Sequence, residues 1–311
     1  MKALLLLIAF SIPGQGVIAS TAEELRYDMR EVLEEVRSMD VGQVYQHGPY
    51  DFNPDHLGVA LVLIDGTTVE VGDTQIGVPL MSISKIYSYA AAVERRGSSY
   101  MAGRIGLNAT GLPFDAAVAP ERNPLVNLGA IAVHSYLQDV DTIGFFSRLA
   151  GETLQIKPEW RVDPMPVTVA TAWMMKADDV LDGDPEDAAR AYLDACVVEV
   201  TPLQLARMGA VLASGGYRGK ERILNKETVR QVLSVMSTAG LYEDAGEWLA
   251  DTGMPAKSGV SGTILAVAPG WGAIAAYSPR LDEAGNSVRA AEIIKRLSNA
   301  WGLHFVDRGF H

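Results

Sequence analysis

Ser82-Ile83-Ser84-Lys85 is the segment of this chain best equipped for chemistry. On a helix, positions three apart share a face, so Lys85 brings its amine beside the Ser82 hydroxyl. A serine hydroxyl is a poor nucleophile near neutral pH and needs a neighbouring base. A lysine can serve when partial burial and nearby cations leave it neutral. At a helix N-terminus the nucleophile also meets the positive end of the dipole and free N–H groups. The spacing alone is a weak signal, because Ser-x-x-Lys also arises by chance at this chain length. Position strengthens it: a predicted hairpin and a short loop precede Ser82, and an Ala-rich helix follows. Lys257-Ser258-Gly259 on a predicted late strand is a second support.

Elements must bring these segments together. Thr21-Ala22-Glu23-Glu24 has capping-box spacing, and Leu25, Met29, Val32, Leu33 and Val36 predict an amphipathic helix to about Met39. Residues 42–55 read as a loop. Two β-rich runs, 57–64 and 67–71, flank Asp65-Gly66, a hairpin signal. Helix follows from Ser82 to Glu94, with a stop at Gly97. The stretch 98–235 reads as mostly helical, with candidates at 127–137, 142–150 and 169–175, and a capping box at Thr201-Pro202-Leu203-Gln204 opening a helix to about Ala213. Strands return at 255–260, 264–267 and 273–277, and Ala290, Ile293, Ile294, Leu297 and Trp301 close the chain on one helical face. This order predicts an α/β (α+β) fold: an antiparallel sheet flanked by terminal helices, with a helical lobe inserted between its strands. Residues 20–311 are expected to form a single catalytic domain.

The pairing of a Ser-x-x-Lys helix with a Lys-Thr/Ser-Gly strand edge resembles serine β-lactamases and penicillin-binding proteins. The chain is more specifically similar to bacterial glutaminases. Asn123-Pro124-Leu125-Val126-Asn127-Leu128-Gly129-Ala130-Ile131 resembles that family's Asn-Pro-x-x-Asn-x-Gly-Ala-Ile stretch. Gly240-Leu241-Tyr242, then Pro255 to Val260, then Pro279-Arg280-Leu281-Asp282 with Gly285-Asn286-Ser287-Val288 follow the family order. The resemblance implies that Ser82 attacks a side-chain amide and forms an acyl-enzyme, that Lys85 takes the serine proton, and that Tyr242 relays protons. It implies an oxyanion hole from the backbone N–H groups of Ser82 and Val260, a pocket edge at Lys257, Ser258 and Gly259, and substrate contacts from Asn127 and Tyr192. In their bland readings Asn127 is a helix cap and Tyr192 a packing residue.

Several positions depart from the family. Met81 stands where the family has Gln or Glu and cannot accept a strong hydrogen bond. A family tyrosine falls near His47 in an ungapped reading, with Tyr45 and Tyr50 close by. Where the family holds the substrate's amino-acid end with Glu and Asn, this chain offers Asp163, with a shorter reach, and Thr168, without an amide N–H. Sites built to hydrogen-bond polar groups lose discrimination when those partners are absent. Three readings therefore stand: hydrolysis of L-glutamine; a related amidase or acyl-transfer reaction on another amide; and a catalytically silent binding protein on the same fold. Penicillin recognition is disfavoured, since Tyr192-Leu193-Asp194 lacks the Asn of the middle motif.

The net charge of −12 and pI of about 4.9 argue against nucleic acid as a partner. No metal or cofactor is expected: His47, His56, His134, His304 and His311 show no ligand spacing, and Gly215-Gly216 follows a helix instead of opening one after a strand. His134 reads as an interior residue, and Cys196, the lone cysteine, as a small buried hydrophobe before a nucleophile. Met1-Lys2, the apolar run to Ile12, Pro13-Gly14 and Val17-Ile18-Ala19 read as a secretory signal (residues 1–19). The run is too short to span a bilayer. An exported, periplasmic or secreted protein acting on a small-molecule amide is expected, with no membrane insertion once the signal is removed. A homodimer or homotetramer is implied by the family likeness alone.

Overall fold

The computed structural model describes residues 21–111, 122–161 and 166–307. The segment read as a secretory signal, Asp163 and His311 lie outside them. Five strands form one antiparallel sheet, in the spatial order Thr68–Gly72, Gly58–Leu63, Gly272–Tyr277, Thr263–Ala268, Ala256–Gly259. The hairpin at Asp65-Gly66 forms as its sequence predicts. The sheet's centre pairs an early strand with a late one, Leu63 opposite Gly272 and Gly58 opposite Tyr277. The helices of the intervening chain leave the sheet after Gly72 and return to it at Ala256.

The central strands are apolar at nearly every position because both their faces are covered. Val59, Leu61, Ile264, Ala266, Ile274 and Ala276 point into one core, with Leu25, Met29, Leu33, Ile293, Ile294 and Leu297 of the terminal helices Ala22–Arg37 and Val288–Trp301. Their neighbours Ala60, Val62, Leu265, Val267, Ala273 and Ala275 point the other way, against Leu205, Met208 and Leu212 of the helix Pro202–Ala213. Alternation of period two thus divides one run of apolar text between two cores. Each fully buried Leu or Ile contributes roughly 1.5–3 kcal/mol over its exposed state. Both predicted capping boxes are present, Thr21 with Glu24 and Thr201 with Gln204.

Several features near the site differ from the sequence expectation. Residues 81–83 form a 3-10 turn, and the α-helix proper runs Ser84–Arg96. The loop 42–55 contains a short strand, Gln43–Val44, paired with Arg280–Leu281. Helix Pro185–Cys196 was not singled out in the sequence, although Asp184 caps it through its side chain and Pro185 occupies its first turn. Among the described residues no helix is long and apolar enough to cross a membrane.

Candidate active site

The turn that carries Ser82 is held open by its neighbours. The short strand Val78–Pro79 pairs with Glu199–Val200, and Leu80 N–H donates to Val198 O at 2.9 Å. Met81 then adopts φ +49°, which a residue with a long side chain rarely takes, and the surroundings must hold it there. Ile83, Ile86 and Tyr87 are fully buried, anchoring the helix from below, while Ser82 is half-buried. One turn on, the Lys85 amine is buried and donates to Asn127 Oδ1 at 2.7 Å and to Leu125 O at 3.4 Å.

Those two acceptors come from the Asn-Pro-x-x-Asn stretch. Buried Asn123 shapes it, since its Oδ1 accepts from Leu125 N–H at 2.8 Å while its Nδ2 donates to Asn108 O. That turn aims the Leu125 carbonyl at Lys85 and starts the helix Asn127–Ser135. Tyr192, on helix Pro185–Cys196, donates its hydroxyl to the same Asn127 Oδ1 at 2.9 Å. Two donors converging on one atom identify it as the amide oxygen. Burial holds the Tyr192 phenol well above its usual range, so it stays a donor. Behind it Cys196 Sγ lies 3.7 Å from Ser84 Oγ, and burial pushes the thiol up, away from the reactive thiolate.

The late strand supplies the opposite wall. A side-chain carbon at Gly259 would stand 3.1 Å from Leu80 O, so the strand end lies alongside the nucleophile turn, and half-buried Val260 follows it. Lys257 is fully buried, donates to Ser258 O at 2.8 Å and sits 4.2 Å above the centre of the Tyr242 ring. Burial pushes its amine well below the usual lysine range, and the Lys85 charge adds to this. Tyr242 also has a left-handed backbone, φ +57°, at the start of the 3-10 turn Tyr242–Asp244. Burial raises its phenol, and the neighbouring Ser82 and Ser258 hydroxyls pull it part of the way back. Gly240 sets this approach: a Cβ there would fall 1.8 Å from Ala256 O, and its own carbonyl accepts from Ser258 N–H at 3.4 Å.

Lys85, Asn127 and Tyr192 are thus joined by hydrogen bonds, Tyr242, Lys257 and Ser258 form the facing wall, Ser82 lies near Tyr242, and Gly259 and Val260 are beside them. Thr168 is buried on helix Pro166–Ala177, which packs against helix Pro185–Cys196. His47 is exposed, its ring 5.3 Å from that of Tyr45. Half-buried Tyr45 is the one turned inward: burial and then Cys196 raise its phenol, and it contributes in turn to raising Tyr192. His134 is interior, its ring 6.1 Å from Tyr192, and burial lowers it to about 3. Sequence reasoning missed the left-handed residues Met81 and Tyr242, for which neither residue type gives a signal. It also missed that Cys196 backs the nucleophile helix. A cavity of about 410 Å³ between the Asp65 turn, Arg207 and Tyr217 opens at the opposite end of the sheet, and no site residue lines it.

A five-stranded antiparallel sheet backed by helices, with a Ser-x-x-Lys turn against a Lys-Ser-Gly strand, is the architecture of the β-lactamase-like serine hydrolases. The family described as Glutaminase matches residues 49–305. Glutaminases of Corynebacterium efficiens and Bordetella avium are 36% and 37% identical, over 89% and 82% of this chain and 70% and 88% of theirs. A solved structure of a probable glutaminase, ybaS, superposes with a TM-score of 0.86 at 32% identity, covering 91% of this chain and 98% of that one. Mglu in its tris and glutamate form gives 0.84 at 35% identity, over 92% and 67%. The chain belongs to the glutaminase family.

Proposed function

We propose that this protein hydrolyses L-glutamine to L-glutamate and ammonia through an acyl-enzyme on Ser82. The arrangement of Lys85 carries the reading. Asn127 Oδ1 and Leu125 O accept from its N–H groups, and one helical turn on from Ser82 a neutral amine is placed to take the serine proton. As the Ser82 oxygen bonds to the amide carbon, its proton passes to Lys85. Charge gathers on the former carbonyl oxygen, facing the backbone N–H groups of Ser82 and Val260. Tyr242, kept protonated by burial, hands its proton to the departing nitrogen as the C–N bond breaks. Water then attacks the ester and gives a proton to Tyr242, and Lys85 returns its proton to Ser82, releasing glutamate.

Asn127, Tyr192 and Tyr45 (in place of exposed His47) hold the amino-acid end, with Thr168 contributing from helix Pro166–Ala177; the Asp163 expected beside it in the sequence lies outside the described residues. A second reading, hydrolysis of another amide, is favoured by the thioether of Met81 and by Thr168, which lacks an amide N–H. The test is ammonia release from L-glutamine, L-asparagine and a panel of N-acyl amides by the wild type and Ser82→Ala. Turnover of glutamine lost in the variant supports the proposal, whereas equal rates in the two proteins would overturn the role of Ser82. Turnover of an N-acyl amide alone would select the second reading.

Two wider readings belong with this one: export, with the mature chain starting at Ser20, and assembly as a homodimer or homotetramer. The first rests on the signal-like N-terminal text. The second is supported by exposed Val167, Trp173 and Met174 on one helix. Intact mass of the secreted protein tests the first.

A further inference from the structure

Gly285-Asn286-Ser287 forms a turn between the sheet and the last helix and has no part in the chemistry above. The turn is tightly closed: Asp282 N–H donates to Asn286 O and Asn286 N–H to Asp282 Oδ1, both at 2.8 Å, and Gly285 N–H donates to Asp282 O at 3.2 Å. It is also anchored below, with the Ser287 hydroxyl donating to Ser278 O and Ser278 N–H donating to Gly262 O at 2.9 Å. Two contacts leave this turn toward the site. Gly285 lies against Val260, where a side-chain carbon would stand 3.4 Å from Val260 Cγ1. Asn286 Nδ2 donates to Asp244 Oδ2 at 2.9 Å, and Asp244 ends the 3-10 turn that Tyr242 begins.

We infer that Asn286 is a positioning residue, a strut that holds the Tyr242 turn in register with the Val260 turn. The inference rests on the proposed roles of Tyr242 and Val260. Tyr242 needs such a strut because its left-handed backbone has no preference of its own for that geometry. Packing alone does not account for Asn286. The side chain is 2% exposed, and among the described residues its Oδ1 finds no hydrogen-bond partner. A buried, unpaired carbonyl costs stability that a leucine of similar size would not, so the bond to Asp244 is what the amide adds. Tyr242 and the Val260 N–H act on the tetrahedral species, so loosening the strut slows turnover and leaves ground-state binding in place.

The test measures kcat, KM and Tm for ammonia release from L-glutamine by full-length wild type, Asn286→Leu, Asp244→Ala, the double variant and Asp244→Asn. Asn286→Leu should lower kcat by roughly tenfold to a hundredfold, leave KM near the wild-type value and hold or raise Tm. Asp244→Ala should match it, and the double variant should fall no further. Asp244→Asn, which keeps an acceptor oxygen, should recover most of the rate. An unchanged kcat in Asn286→Leu, a loss of kcat tracked by Tm, or additive losses in the double variant would overturn the strut. Ser82→Ala run alongside separates the two levels: activity in Ser82→Ala removes the underlying reading. An inactive Ser82→Ala beside a fast Asn286→Leu removes the strut alone.

Discussion

One amide oxygen, Asn127 Oδ1, takes hydrogen bonds from both Lys85 and Tyr192, and replacing Asn127 by Asp separates its two duties. A carboxylate 2.7 Å from the amine would hold Lys85 charged and unable to accept the Ser82 proton. Asn127→Asp should lower the rate at neutral pH and move the alkaline rise of kcat/KM to higher pH, as a pH–rate profile would show. Tyr242→Phe keeps the ring beneath the Lys257 amine and removes only the hydroxyl near Ser82 and Ser258. The expected loss is on the order of 10²–10⁴ in kcat with Tm nearly unchanged, and matched kinetics and melts check it. At this scale the Ser-x-x-Lys spacing pointed to Ser82 and Lys85, and the family resemblance to Asn127, Tyr192 and Tyr242. It could not show that Tyr45 turns inward while His47 faces solvent. Two residues apart on a strand share a face, and only the irregular backbone after Val44 parts them.

Elements were legible where local chemistry sets their ends. Thr21 and Thr201 announce helix starts, and Asp65-Gly66 announces the hairpin, since each satisfies backbone groups from nearby in sequence. The Ser82 turn was not, because its form comes from partners far along the chain: Val198 for Leu80, and Gly259 beside Leu80. The same holds for the Tyr242 turn, which exists only against strand Ala256–Gly259. Gly240→Ala tests that dependence. The new methyl would fall 1.8 Å from Ala256 O, a backbone atom that cannot move without shifting the strand. Overpacking of this kind costs typically 1–3 kcal/mol, and the shift would carry Tyr242 with it. Urea melts should show the destabilisation, and kcat should fall further than in variants of equal stability elsewhere. His134 gives a different element, the helix Asn127–Ser135, a pH signature. Its folded value of about 3 lies below the ordinary 6.5, so the folded state refuses a proton that the unfolded chain accepts. That contribution is complete above about pH 6.5 and is lost as pH falls toward 3. Replacement by Gln should flatten the Tm–pH curve across that window.

At the scale of the whole molecule, the helix Pro166–Ala177 faces two ways. Thr168, Thr171, Ala172 and Met175 are buried toward the helical core. Pro166, Val167, Ala170, Trp173, Met174 and Ala177 are exposed along the other side, at positions three or four apart and without a charge. Val167, Trp173 and Met174 keep 55%, 50% and 48% of their surface in contact with solvent. With −12 net charge, non-specific association is opposed, so a neutral apolar stripe is where copies of the chain would meet. A two-fold contact would lay this stripe on its own copy, apolar against apolar, and would fix the helix whose inner side carries Thr168. Trp173→Asp places a charge at the centre of the stripe without touching the core. Light scattering on the separated protein should then show a smaller assembly than the wild type, and KM for glutamine should rise if the contact steadies the Thr168 side of the site. A variant of unchanged mass would remove this face from the interface.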